Sequence, residues 1–280
     1  MQIGKYNRLK VLRKLEFGYY LDGQELGEIL IPLRYAPADL KIGSQIEVFV
    51  YFDSEDRIIA TTERPIAKVG EFAYLNVVSV NDIGAFLYWG LPKDLLVPFR
   101  EQKVKMVEGK SYLVFIYIDA MTDRIAASAK IDQFLNHDPI NYLPGDEVDL
   151  IIAGISEIGY KAIINNRHLG ILYKNEVFTD LKIGQETKGY IYKIRPDNKI
   201  DLRLFREGYE KVDDYVKLLL DKLESEDGFL PLTDKSSAEE INFELGISKK
   251  SFKQAVGALY KKHLLELLPE GIRLLENSDN

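Results

Sequence analysis

Aromatic residues recur beside glycine at three places in the chain, and rings in such positions can stack on unpaired nucleic-acid bases. The three places are Phe17-Gly18-Tyr19-Tyr20, Ile83-Gly84-Ala85-Phe86 and Ile158-Gly159-Tyr160-Lys161. A base stacked on an exposed ring contributes roughly 1 to 3 kcal/mol to binding. The pattern alone fits two interpretations, a row of exposed rings or rings packed in a core, since aromatic residues are commonly buried.

The three places belong to an internal repeat. The glycines that mark it are separated by 66 and then 75 residues: Gly18, Gly84 and Gly159. A second set of glycines, each before a strand-like run, repeats both separations: Gly43, Gly109 and Gly184. Periods of this length exceed those of solenoid repeats and indicate tandem small domains.

Each copy has the pattern of a β domain. The second copy contains five short runs rich in Val, Ile, Tyr and Phe between Phe72 and Ala127, broken by turn residues. Five strands in a module of about 65 residues are typical of a Greek-key barrel of the OB type. We therefore expect a mainly β chain with three such barrels in tandem.

The pattern changes to helix from Tyr209 onward. Apolar residues recur there at helical spacing, and Ser237 with Glu240 predicts a capping box. Ser248 caps a further helix, and Gly271 follows a turn that predicts a β-hairpin. Three helices and a hairpin are the parts of a winged helix-turn-helix domain.

The predicted fold is thus multidomain and mainly β, with three tandem five-stranded OB-fold barrels followed by an α/β winged helix-turn-helix domain. The predicted boundaries are residues 1–66, 67–138, 139–208 and 209–280. Since small modules bury little core, contacts between neighbours should add stability.

The last predicted helix is strongly basic. It carries five lysines and no acidic residue between positions 249 and 262: Lys249, Lys250, Lys253, Lys261 and Lys262. Such a helix can contact phosphates as a recognition helix. The alternative is a solvated face, because the surrounding domain is acidic.

Composition excludes several classes of function. The chain has 280 residues, a formal net charge of −7 and no cysteine, which excludes disulfides, thiolate catalysis and Cys-type zinc sites. No apolar run approaches the roughly 18 residues of a membrane helix, and we expect a soluble cytoplasmic protein with no membrane partner. The negative charge means that any nucleic-acid surface is a local patch.

Catalytic signatures are absent from the sequence. The three histidines, His137, His168 and His263, are scattered and lack metal-ligand spacing. The nearest match to a phosphate loop starts at Gly154 but lacks the Lys-Ser or Lys-Thr ending. We therefore expect no enzyme activity, no cofactor and no small-molecule substrate.

The glycine-aromatic strand, the second glycine landmark and the closing Asp-to-Arg turn resemble the S1-type RNA-binding domain, which is an OB fold. The resemblance implies a set of nucleic-acid contacts in the first copy: Phe17, Tyr20, Asp53 and Arg57. In the second copy it implies a shorter set: Phe86, Asp119 and Arg124.

The second and third copies keep fewer of the residues of the S1 pattern than the first copy does. The family's histidine position is held by other residues: Pro32, Pro98 and Tyr173. Isoleucine replaces the ring before the glycine in copies two and three. The degenerate third copy would rely on a different set: Lys161, Tyr173, Arg195 and Lys199.

Three S1-like modules followed by a winged helix resemble the conserved virulence factor B family of Gram-positive bacteria. The resemblance implies a cytoplasmic regulator that binds single-stranded RNA and influences the expression of virulence genes after transcription. Two alternatives remain open. The winged helix could bind duplex DNA as a transcription regulator, or the modules could form a protein-interaction scaffold on the ribosome or RNA polymerase.

Overall fold

The computed structural model describes residues 1–177, 180–204 and 212–275. The chain folds as two compact units, Met1–Asp138 and Pro139–Asn280. The first unit contains two five-stranded sheets, and the second contains a third sheet and the helical region.

The first sheet closes into a barrel. Its strands in chain order are β1 (Tyr6–Leu15), β2 (Gly18–Asp22), β3 (Glu28–Pro32), β4 (Gln45–Phe52) and β5 (Ile58–Thr61). Around the barrel the order is β1-β2-β3-β5-β4, and only β3 and β5 run parallel. Alternate side chains along the strands fill the interior. The predicted OB-type architecture is confirmed here.

The repeated glycines allow neighbouring strands to approach closely. A side chain on Gly18 would collide with the backbone carbonyl oxygen of Ile31, and Gly84 and Gly159 are equally tight against the next strand of their own sheets. None of the three has a positive φ. The glycine of each repeat is therefore required by strand packing and not by a left-handed turn.

The second sheet has the same strand order but stays open. Its strands are β6 (Phe72–Val80), β7 (Gly84–Leu87), β8 (Leu95–Pro98), β9 (Ser111–Asp119) and β10 (Arg124–Ser128), in the order β10-β9-β6-β7-β8. The prediction of a closed barrel is wrong at this edge. Strands β8 and β10 lie side by side, but the link forms just beyond them, where the Ala129 N–H donates to the Glu101 carbonyl over 2.9 Å.

The second module shares its hydrophobic core with residues of the first barrel. Phe49 and Tyr51 of β4 belong to the same buried cluster as Trp89 and Leu91 of the second module. The Trp89 ring lies 5.9 Å from the Phe49 ring, edge to face, and its Nε1–H donates to the Lys93 carbonyl over 2.7 Å. The expected contact between neighbouring modules is thus a continuous apolar interface.

The third sheet closes into a second barrel. Its strands are β11 (Glu147–Ile155), β12 (Gly159–Ile164), β13 (His168–Tyr173), β14 (Glu186–Ile194) and β15 (Ile200–Arg203). The order β11-β12-β13-β15-β14 repeats that of the first barrel, with β13 and β15 parallel. The sequence departures in the third copy therefore leave the fold intact.

The C-terminal region is a winged helix, as predicted. Its elements are α1 (Val212–Ser225), β16 (Phe229–Leu230), α2 (Ala238–Leu245), α3 (Lys249–Lys261), β17 (Leu265–Leu268) and β18 (Gly271–Leu274). The Ser237 hydroxyl accepts from the Glu240 N–H, and the Glu240 carboxylate accepts from the Ser237 N–H, so the capping box is confirmed. Gly246 ends α2 in the left-handed conformation.

Candidate nucleic-acid interface

The first barrel presents one predicted ring to solvent and partly covers the other. Phe17 lies in the turn between β1 and β2, and 58% of its surface is exposed. Tyr20 is half-buried on β2, and the guanidinium carbon of Arg13 lies 4.4 Å above its ring. A base can therefore stack directly on Phe17, whereas at Tyr20 it meets an arginine already stacked on the ring.

Arg13 is held over Tyr20 by Glu28. The Arg13 Nε–H donates to the Glu28 Oε2 over 3.0 Å, and a second nitrogen of the guanidinium contacts the same oxygen. The hydrogen bond from Arg13 holds the pKa of Glu28 below its usual value. Sequence reasoning missed this cluster because Arg13 faces Tyr20 only through the strand register.

Asp53 and Arg57 form the last turn of the first barrel and pair with each other over 2.7 Å. The Asp53 carboxylate also accepts the backbone N–H groups of Glu55 and Arg57, each over 2.9 Å. Burial acts to raise the pKa of Asp53, but the hydrogen bonds from Arg57 and Glu55 bring that pKa below its usual value. Arg57 also contacts the Glu55 carboxylate over 2.8 Å, so its charge is balanced locally.

The second module brings a different set of side chains to the same end of its sheet. Phe86, the predicted stacking ring, is half-buried on β7, while Ile83 before the glycine is exposed. Phe99, which sequence reasoning did not select, begins a short 3-10 helix, and its N–H donates to the Ile83 carbonyl over 3.4 Å. The β6–β7 turn and the 3-10 helix therefore meet at two exposed apolar side chains.

Asp119 and Arg124 do not pair in the manner of Asp53 and Arg57. Asp119 is buried and accepts from the Arg100 guanidinium over 3.0 Å. Arg124 instead reaches the first barrel, where it pairs with Asp56 over 2.7 Å. Both predicted residues are thus engaged by partners that lie far away in sequence.

The third barrel gathers Tyr173, Arg195 and Asp201. The Arg195 Nε–H donates to the buried Asp201 carboxylate over 3.0 Å, and a second nitrogen donates to the Tyr173 hydroxyl. Lys161 is exposed on β12, and Lys199 pairs with Asp197 over 2.8 Å. Tyr173 and Arg195, both predicted, lie together, and Asp201 is the anchor that the sequence pattern did not reveal.

Helix α3 carries its lysines on the side opposite the core. Phe252, Ala255 and Leu259 are buried, whereas four of the five predicted lysines are exposed and Lys249 is half-buried. In the part of the chain that the structure describes, four lysines take part in no ion pair: Lys249, Lys253, Lys261 and Lys262. This face has the charge to contact phosphates.

Among the described residues, the helices are too short or too polar to cross a membrane.

The comparisons with known proteins agree with this architecture. Residues 3–63 and 69–130 match a family model described as an S1 domain, and residues 217–274 match one described as a CvfB-like winged helix domain. The uncharacterized protein YitL of Bacillus subtilis (strain 168) is 25% identical over 269 residues, which cover 93% of this chain and 90% of YitL. Conserved virulence factor B of Staphylococcus aureus (strain N315) is 25% identical over 236 residues, which cover 82% of this chain and 79% of that relative. The chain is therefore similar to YitL and to conserved virulence factor B along most of its length.

A solved structure is also similar to this chain over almost its whole length. A multidomain protein with nucleic acid binding domains from Streptococcus pneumoniae is 23% identical, covers 98% of both chains and aligns with a TM-score of 0.44. The two S1 matches coincide with the first barrel and the second sheet, and the winged-helix match spans most of α1 through β18. The S1-type and winged-helix predictions are therefore confirmed, and the chain carries nucleic-acid-binding domain types.

Proposed function

We propose that this relative of conserved virulence factor B is an RNA-binding regulatory protein that holds single-stranded RNA by base stacking and phosphate contacts. The observation that carries the proposal is the exposed Phe17 ring, which belongs to the segment that matches an S1 domain. The Arg13–Tyr20 stack offers a second planar surface on the adjacent strand.

Charge favours single-stranded RNA over a duplex. The chain has a net charge of −7, so neutralisation of many phosphates cannot supply most of the affinity. Base stacking is then the main source of binding energy, and only unpaired bases expose their faces to a protein ring. Arg57, Arg124 and the α3 lysines supply local phosphate contacts in this proposal, and sequence preference is modest.

The remaining sites are assigned lesser roles. Asp53 and Asp119 orient neighbouring cations, while Lys161, Tyr173, Arg195 and Lys199 form a weaker third surface. We propose that each of the four sequence-defined segments acts as a domain. The protein works without a cofactor or catalysis in the cytoplasm, and RNA binding influences virulence gene expression after transcription.

A second candidate function rests on α3. Four of its lysines, Lys249, Lys253, Lys261 and Lys262, take part in no ion pair with described residues, and a helix-turn-helix domain commonly places such a helix in the major groove. In this alternative the protein is a transcription regulator that binds duplex DNA.

Fluorescence anisotropy with a labelled single-stranded RNA and a labelled duplex DNA distinguishes the two candidate functions. The variant Phe17→Ala/Tyr20→Ala is expected to bind RNA much more weakly than the wild type. The matched control is Phe243→Ala, which removes a ring that is 87% exposed on α2, outside the barrels. Equal RNA affinity in a folded double variant would reject ring stacking on the first barrel, and tighter binding of duplex DNA by the wild type would favour the alternative.

A further inference from the structure

In each of the three modules, two backbone positions are joined at the rim of the sheet. The Leu33 N–H donates to the Phe17 carbonyl over 3.1 Å in the first barrel, and the Phe99 N–H donates to the Ile83 carbonyl over 3.4 Å in the second module. In the third barrel the equivalent bond joins Lys174 to Ile158 over 3.2 Å. The same pair of positions can therefore be compared directly between modules.

In each of the first two modules, one of these two positions carries an aromatic ring and the other an aliphatic side chain. The position that holds the ring differs between the two modules. In the first barrel the ring precedes the glycine, at Phe17, and Leu33 is 44% exposed. In the second module the aliphatic residue precedes the glycine, with Ile83 53% exposed, and the ring is Phe99, which is 42% exposed. Both modules thus present one phenylalanine and one aliphatic side chain to solvent at the same rim.

Side-chain contacts to neighbouring strands hold the 3-10 helix that begins at Phe99. The carboxylate of Glu101, in the same 3-10 helix, accepts from the Ser128 hydroxyl over 2.7 Å. Arg100, which follows Phe99, donates a hydrogen bond to the buried Asp119 at the end of β9. The 3-10 helix that begins at Phe99 is therefore held to β9 and β10, and Arg100 places a partly exposed cation next to Phe99 in the sequence.

Phe86 has a weaker position for stacking. It lies within β7 opposite Leu96 of β8 and is half-buried, whereas Phe99 is exposed. A ring set into the sheet exposes less of its face than one at the start of a short helix. The two phenylalanines of the module are thus not equivalent as stacking surfaces.

We propose that Phe99, and not Phe86, is the ring on which the second module stacks a base of single-stranded RNA. Ile83 fills the aliphatic place that Leu33 occupies in the first barrel, and Arg100 supplies the adjacent cation. This inference rests on the proposed RNA-binding function and deepens it by naming the contact residue of the second module.

The test compares Phe99→Leu with Phe86→Leu in the full chain, using a labelled oligouridine of about 12 nucleotides, within the site size of OB folds. Leucine is the residue of the first barrel at the equivalent position, and thermal unfolding checks that both variants fold. Loss of one stacked base predicts a roughly tenfold weaker Kd for Phe99→Leu. Phe86→Leu is expected to bind like the wild type.

A swap variant makes the test independent of folding damage. Ile83→Phe/Phe99→Leu reproduces the arrangement of the first barrel and is expected to recover most of the affinity that Phe99→Leu loses. Wild-type affinity in Phe99→Leu, or a loss confined to Phe86→Leu, would overturn the inference while RNA binding itself stands. Absence of RNA binding by the wild type would overturn the proposed function, and this inference with it.

Discussion

Arg124 and Asp56 form an ion pair of 2.7 Å that joins the last turn of the second sheet to the last turn of the first barrel. Lys93 of the second module contacts the same carboxylate over 2.8 Å and donates to the Asp53 carbonyl over 2.7 Å. Two predicted nucleic-acid contacts, Asp53 and Arg124, thus lie at the junction between modules, so the junction is both a structural contact and part of the candidate interface.

The junction predicts a pH dependence of stability. The hydrogen bond from Lys93, with the charges of Lys93 and Arg124, holds the pKa of Asp56 below its usual value. A carboxyl whose pKa is lowered by folding stabilises the folded state above its unfolded pKa, about 3.9, and loses that contribution as the pH falls through the folded pKa. We expect the melting temperature of the first unit to decrease as the pH is lowered through this acidic range.

The variant Lys93→Gln/Arg124→Gln tests this cause. An NMR titration of the Asp56 carboxyl is expected to show its pKa move up toward the usual value, and the acid-dependent loss of stability should shrink. Asp132→Asn is the control, since its exposed pair with Lys103 lies outside the junction. An unchanged Asp56 titration in the double variant would contradict the assignment.

Trp89 is predicted to couple the two modules of the first unit. Its ring is buried in the shared core, so Trp89→Ala should destabilise this unit by about 3 to 5 kcal/mol. Denaturant unfolding followed by far-UV circular dichroism measures the loss. Tyr88→Ala removes an exposed neighbouring ring and should change stability by less than about 0.5 kcal/mol. Similar effects of the two substitutions would contradict the shared core.

The Arg100–Asp119 pair predicts a stability cost that a second substitution repairs. Arg100→Gln leaves a buried carboxylate without its cation, which should cost about 1 to 3 kcal/mol. Adding Asp119→Asn removes the uncompensated charge and should restore much of that loss. Chemical denaturation of the single and double variants measures both steps. A double variant less stable than Arg100→Gln alone would show that the carboxylate has another essential partner.

Two glycines of the winged helix predict opposite responses to alanine. Gly257 lies within α3 with open space where a Cβ would project, so Gly257→Ala should stabilise the domain by about 0.5 to 1 kcal/mol. Gly246 has a φ of 65°, and Gly246→Ala should destabilise it by roughly 1 to 2 kcal/mol. Thermal unfolding of the two variants gives the comparison, and equal signs would contradict the helix assignment.

The sequence predicted the features that depend on short-range patterns. The repeat at Gly18, Gly84 and Gly159 located three modules because every copy needs the same close strand contact. Ser237 and Glu240 located a helix start because a capping box spans four consecutive residues. Each of these patterns can be recognised within a short segment of the chain. Together they predicted the fold class and the order of the modules.

The partners of the candidate site residues could not be predicted in this way. Arg124 pairs with a residue of the preceding module, and Asp119 pairs with Arg100 from another loop. Arg195 finds Asp201 across a strand pair of the third barrel. These contacts depend on how strands and modules pack, so residue type and spacing placed the side chains near the interface without revealing what they touch.

Photo-cross-linking gives the most direct test of RNA binding by the barrels. A single-stranded RNA that carries thiouridine is cross-linked to the full-length chain, and mass spectrometry locates the modified peptides. We predict cross-links in the peptides that contain Phe17 and Phe99, reduced by excess unlabelled single-stranded RNA and not by duplex DNA. Cross-links confined to the α3 peptides, or none from an RNA that binds, would contradict stacking on the barrels.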